Sequence, residues 1–95
     1  MTPTYKILEE IYLFRDSFYT STSLMTVHPR RAVQNANFCL TREGVVEHIS
    51  HRGYRVVDAG KLKKFINNIP LFMLRMQEHY AKRSSVNKLK KKRVI

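Results

Sequence analysis

Residues 33–58 read VQNANFCLTREGVVEHISHRGYRVVD, and within them the hydrophobic period changes once, from helical to alternating. Val33, Ala36 and Leu40 recur at i, i+3 and i+7 with Ala32 and Cys39 beside them, which makes one apolar helical face. Arg31, Gln34, Asn35 and Arg42 populate the rest of that surface. Upstream, Pro29 stands where a helix can start but not continue, and no Gly, Pro or β-branched run interrupts residues 30–42, so a helix is predicted there. Gly44 supplies its C-terminal stop. Val45, Val46, Glu47, His48, Ile49 and Ser50 then read as a strand and His51, Arg52 and Gly53 as a turn. Tyr54, Arg55, Val56, Val57 and Asp58 read as a returning strand, which completes a hairpin with a basic tip.

Working outward, Ile7, Leu8, Ile11, Phe14 and Phe18 fall on one helical face and predict a first helix over residues 4–18, with Thr2 as its cap and Pro3 in its first turn. Residues 19–23 are β-branched and hydroxyl-bearing, suited to a short extended piece and then a cap, and a brief helix follows around Leu24 to Val27. From Ala59 the period is helical again through Leu62, Phe65, Ile66 and Ile69. Pro70 marks a kink or a break, and Leu71, Phe72, Leu74, Met76 and Tyr80 carry a helix to about residue 83. Residues 84–95 have no apolar periodicity and predict a mobile tail.

The order helix, short helix, glycine-stopped helix, hairpin resembles the winged helix-turn-helix superfamily of DNA-binding domains. The resemblance covers roughly residues 5–58 and rests on Leu40, Gly44, Val45, Val46, Arg52, Gly53, Tyr54 and Val56. It implies an α+β, mainly α fold: a winged helix-turn-helix core over residues 1–58 with a two-stranded β-hairpin wing, and additional C-terminal helix or helices over 59–83. The segment between the first and third helices is short for such a domain, and Asn37 falls where an apolar residue is commoner, with Phe38 expected to take over its packing.

Ninety-five residues leave room for one small core, which excludes a multi-domain enzyme. The formal charge is +11, and it is unevenly placed. Residues 1–28 sum to −1, whereas residues 29–95 set sixteen basic side chains against Glu43, Glu47, Asp58 and Glu78 for a sum of +12. Such a chain should seek a polyanion. The single cysteine, Cys39, cannot form an internal disulfide, and no Cys/His spacing matches a zinc site. No apolar run approaches the ~20 residues of a membrane span, and the N-terminus does not read as a signal peptide. The expected setting is cytoplasmic and nucleoid-associated, with no membrane partner.

Arg30, Arg31, Gln34 and Asn35 are the residue types that read base edges in a major groove, on the early, non-core part of the third helix. Gln34 and Asn35 equally suit a solvated helix surface. At the hairpin, His48, His51, Arg52 and Arg55 are placed to reach a minor groove or phosphates, or to protect an edge strand by charge. Lys88, Lys90, Lys91, Lys92 and Arg93 offer phosphate contacts without sequence information, and the same run suits an anionic membrane surface, an acidic protein or simple solubility. His28, His48, His51 and His79 lack a third ligand in register, so no metal is expected. With Gly44, Gly53 and Gly60 isolated and no nucleophile–base grouping, neither enzyme activity nor a cofactor is expected. The surplus of apolar residues over 59–83 points to a homodimer through that segment. The expected function is a sequence-specific double-stranded DNA-binding transcriptional regulator of small prokaryotic, phage or plasmid type. The alternatives are a non-specific nucleoid or replication accessory protein, or a platform for RNA or a host protein.

Overall fold

The computed structural model describes residues 3–81 in full and carries the backbone of the last helix to Val94. The elements run α1 (Pro3–Leu13), β1 (Phe18–Tyr19), α2 (Ser21–Met25), α3 (Arg30–Arg42), β2 (Val46–Ile49), β3 (Gly53–Val56), α4 (Ala59–Asn67) and α5 (Ile69–Val94). The three strands form one antiparallel sheet in the order β1-β3-β2. The fold is α+β and mainly helical. The expected Thr2 cap falls outside the described residues, and α5 continues as helix to Val94, past the end expected near residue 83, where a tail without helix was expected.

α3 has the bounds its periodicity predicts, with Val33, Ala36, Cys39 and Leu40 all buried. Its end is a Schellman turn: the Gly44 amide donates to the Thr41 carbonyl at 3.2 Å and the Val45 amide to the Leu40 carbonyl at 2.9 Å. Gly44 sits at φ +74°, where a Cβ costs roughly 1–2 kcal/mol. The turn redirects the chain so that Val45 and Val46 enter the core at the base of the hairpin.

The first helix is shorter than its apolar spacing predicts. It ends at Leu13, and Phe14 and Phe18 do not complete its buried face but lie exposed. The cause is sheet pairing. Phe18 and Tyr19 form β1, opposite Arg55 and Tyr54 of β3, and strand alternation turns Tyr19 inward at 5% exposure and Phe18 outward at 41%. Thr20 then caps α2, its Oγ1 accepting the Ser23 amide at 3.1 Å, so the extended-piece-then-cap reading holds. Close approach of β1 is possible because Gly53 carries no side chain: a Cβ there would stand 2.2 Å from the Tyr19 carbonyl oxygen. Gly53 also adopts φ +100°.

Asp58 caps α4 by accepting the Lys61 amide at 2.9 Å. Asn68 separates α4 from α5, with Oδ1 accepting the Leu71 amide at 3.2 Å, and Pro70 falls in the first turn of α5, where its missing N–H is not needed. Pro70 therefore accompanies a break, not a kink. Leu62, Phe65, Ile66, Phe72 and Met76 join Ile7, Leu8, Ile11, Leu24, Val33, Leu40 and Val45 in one core. Leu71, Met73 and Leu74 are the large apolar side chains of α5 left exposed among the described residues. No helix of the described residues is long and apolar enough to cross a membrane.

Candidate nucleic-acid interface

At 100° per residue, Arg31, Gln34, Phe38 and Arg42 lie on the side of α3 opposite its buried face, and Arg30 and Thr41 flank them on the side of buried Asn37. All are exposed except Phe38, which is half-buried. The strip runs the length of the helix. Phe38 lies at its centre, with the Arg42 guanidinium 5.3 Å from its ring centroid and the Tyr80 ring of α5 at 5.2 Å. The recurrence Arg31, Gln34, Phe38, Arg42 at i, i+3, i+7 and i+11 was the signal that would have added Arg42 to the candidates; Thr41 follows from the same face.

The hairpin divides its candidates between two sheet faces. His48, Tyr54 and Tyr19 are successive partners across the strands and form an aromatic row, with His48 4.7 Å from Tyr54 and Tyr54 5.4 Å from Tyr19 between centroids. This row faces α3, where His48 and Tyr54 with Gln34, Phe38, Thr41 and Arg42 wall a hollow of about 410 Å³. Arg55 lies on the opposite face, paired with Glu47 at 3.1 Å, so the structure does not bring it together with His48. The tip is the three-residue loop Ser50, His51 and Arg52, closed by the Arg52 amide to the Ile49 carbonyl at 3.1 Å. His51 takes φ +71° and is exposed, and Arg52 lies 5.6 Å over the Phe18 ring. Lys88, Lys90, Lys91, Lys92 and Arg93 lie outside the residues whose side chains are described.

Asn35 is half-buried, and its Oδ1 accepts from the Tyr80 hydroxyl. It is thus tied to α5, while Arg30, Arg31 and Gln34 are exposed. Sequence spacing gives no sign of this contact, which joins residues 45 apart. Glu43, the residue that ends α3, was equally invisible as a hub. Its side chain is 5% exposed and meets His79 Nε2 at 2.6 Å, Arg75 Nε at 3.3 Å and Lys61 Nζ at 3.4 Å. Burial alone would raise its carboxyl pKa, but the His79 hydrogen bond and the Arg75 and Lys61 charges outweigh burial and hold it below the ordinary range.

The other acidic residues beyond residue 28 are also engaged away from the α3 strip: Glu47 with Arg55, Asp58 at the α4 cap, and Glu78 with Arg75 at 3.4 Å. The histidines are scattered. His28 pairs with Glu10 at 3.1 Å and His79 with Glu43, and among the described residues no three His, Cys, Asp or Glu side chains converge. Cys39 is fully buried, and burial, with Glu43 adding to it, pushes its thiol up to about 12, so it behaves as a small core side chain. Comparison with protein-family models, with curated proteins and with solved structures finds no match to this chain.

Proposed function

We propose that the chain is a small winged helix-turn-helix protein that binds double-stranded DNA selectively and regulates transcription by occupying its site. In this reading α3 enters the major groove, where Arg30, Arg31 and Gln34 meet base edges, and the β2–β3 hairpin is the wing, with His51 and Arg52 toward an adjacent minor groove. The phosphate strand between the two grooves then passes along the hollow walled by Arg42 and His48, and Arg55 on the far sheet face contributes only long-range charge.

One observation carries the reading. A strip of α3 beside the hairpin, exposed except at half-buried Phe38, bears Arg30, Arg31 and Arg42, while Glu43, Glu47, Asp58 and Glu78 are all held elsewhere. This surface is therefore one-signed, as a polyanion requires, and it carries forked donors and carboxamides suited to base edges.

The test is selection of bound sequences from a random duplex library at about 150 mM salt, where binding through phosphates alone is weakened. Enrichment of a defined motif supports the reading. Retention without enrichment, or no retention, overturns sequence-selective binding and leaves a coating protein or an RNA or protein partner.

A further inference from the structure

Of the four base-reading candidates on α3, Asn35 alone is tied to another element among the described residues. A carboxamide is planar, with an acceptor on one arm and a donor on the other. The acceptor arm of Asn35 is engaged by the Tyr80 hydroxyl. Tyr80 is itself held on two sides, its ring against Phe38 at 5.2 Å and its neighbour His79 bonded to Glu43 at 2.6 Å. Arg31, Gln34, Asn35 and Tyr80 together line one open hollow of about 420 Å³. With Oδ1 anchored on the Tyr80 hydroxyl, the plane of the carboxamide is fixed and Nδ2 is its other arm, on a residue that borders this hollow.

We propose that Tyr80 is a specificity-determining positioning residue: it holds Asn35 so that the α3 surface presents a hydrogen-bond donor, and not a donor–acceptor pair, to the facing base. This rests on the reading of α3 as the helix in the major groove. An unrestrained carboxamide pairs with adenine by accepting from N6 and donating to N7. Tyr80 takes one of the two lone pairs of Asn35 Oδ1 and holds that oxygen toward α5, so in this scheme the base meets Nδ2, which favours an acceptor edge, guanine N7 and O6 or thymine O4, and disfavours cytosine, whose N4 amino group would meet Nδ2. Tyr80 makes no base contact in this scheme and acts through Asn35.

The experiment uses the full chain and duplexes selected by it from the random library, resynthesised with each of the four bases at every position. Wild type should disfavour cytosine at one position. Tyr80→Phe keeps the ring on Phe38 but removes the hydroxyl. It should reduce that penalty roughly fivefold, the scale of one net hydrogen bond, and leave binding to an unrelated duplex unchanged. In an Asn35→Ala background, Tyr80→Phe should change nothing further. As an independent variant, Asn35→Asp replaces the donor by an acceptor and should reverse the cytosine penalty. A clear wild-type base preference that survives Tyr80→Phe, shifts equally in the Asn35→Ala background, or keeps its cytosine penalty in Asn35→Asp overturns the role of Tyr80 and leaves the DNA-binding reading intact. A wild type with no preference at any position overturns both.

Discussion

The Tyr19 hydroxyl, buried beneath the sheet, donates to Asn37 Oδ1 at 3.0 Å, and Asn37 Nδ2 donates in turn to Ser21 Oγ at 2.9 Å. Asn37 is therefore a satisfied buried amide that ties β1, α2 and α3 together, at a position where a side chain for apolar packing is expected. Burial, with the neighbouring Tyr54, holds the Tyr19 phenol pKa well above its usual value, so the hydroxyl remains a donor throughout the physiological range.

Replacing Asn37 by Leu strands that hydroxyl in the core, which costs about 1–3 kcal/mol. Tyr19→Phe should cost about 1 kcal/mol, and the two changes together less than their sum. Urea unfolding midpoints at unchanged slope measure all three; additive losses would show that the pair is not coupled.

Glu43 predicts an acid-sensitive fold. Its carboxyl pKa is depressed in the folded state, so its stabilising contribution is complete above the unfolded glutamate value of about 4.3 and is lost as pH falls through the folded value. Glu43→Gln should cost about 2–3 kcal/mol at pH 7, below the ~3–5 kcal/mol of a fully buried pair because Lys61 and Arg75 keep contact with water. It should also flatten the fall in stability below about pH 4. Thermal melts from pH 2 to 7 for both proteins give the comparison, and parallel curves would remove Glu43 from the acid response.

Gly53→Ala drives a methyl group into the Tyr19 carbonyl and forces a disfavoured φ, so β1 must separate from β3. A loss of about 2–4 kcal/mol is expected, beyond the roughly 1–2 kcal/mol of Gly44→Ala, where positive φ is the sole penalty because the space is open. Amide exchange at Tyr19 should accelerate in the first variant only.

Arg31→Ala and Gln34→Ala should each cost about 1–3 kcal/mol on the selected duplex and little on an unrelated one. Deleting residues 84–95 should weaken both and reduce the salt dependence. Binding titrations at several salt concentrations separate the two patterns; equal losses on both duplexes for all three variants would show that α3 does not read bases.

α3 and the hairpin were legible because their signals are local: Val33, Ala36 and Leu40 set a helical period, Gly44 stops it, and the turn residues before Tyr54 mark the reversal, although the loop is Ser50, His51 and Arg52 and Gly53 already pairs with Ile49 in β3. The end of α1 was not. Phe14 and Phe18 continue its apolar spacing, and the pairing that draws Phe18 and Tyr19 into the sheet depends on β3, 37 residues away by its Phe18–Arg55 register. The same distance problem hid the candidate site's supports. Glu43 meets partners 18, 32 and 36 residues downstream, and Asn35 meets Tyr80, contacts that no periodicity encodes. Of the apolar residues over 59–83, Leu62, Phe65, Ile66, Phe72 and Met76 fill the shared core, a destination their spacing alone does not reveal.

His79 and Tyr80 are adjacent on α5, yet they grip α3 at Glu43 and Asn35, eight residues apart, so the last helix crosses the third and clasps it at two points. The practical consequence concerns portability. A fragment cut after residue 58 would lose the clasp together with Leu62, Phe65, Phe72 and Met76 from the core, and the orientation of Asn35 with it. Grafting this surface onto another scaffold, or fusing a reporter to the chain, therefore requires the C-terminal helices to travel with it at least as far as Tyr80.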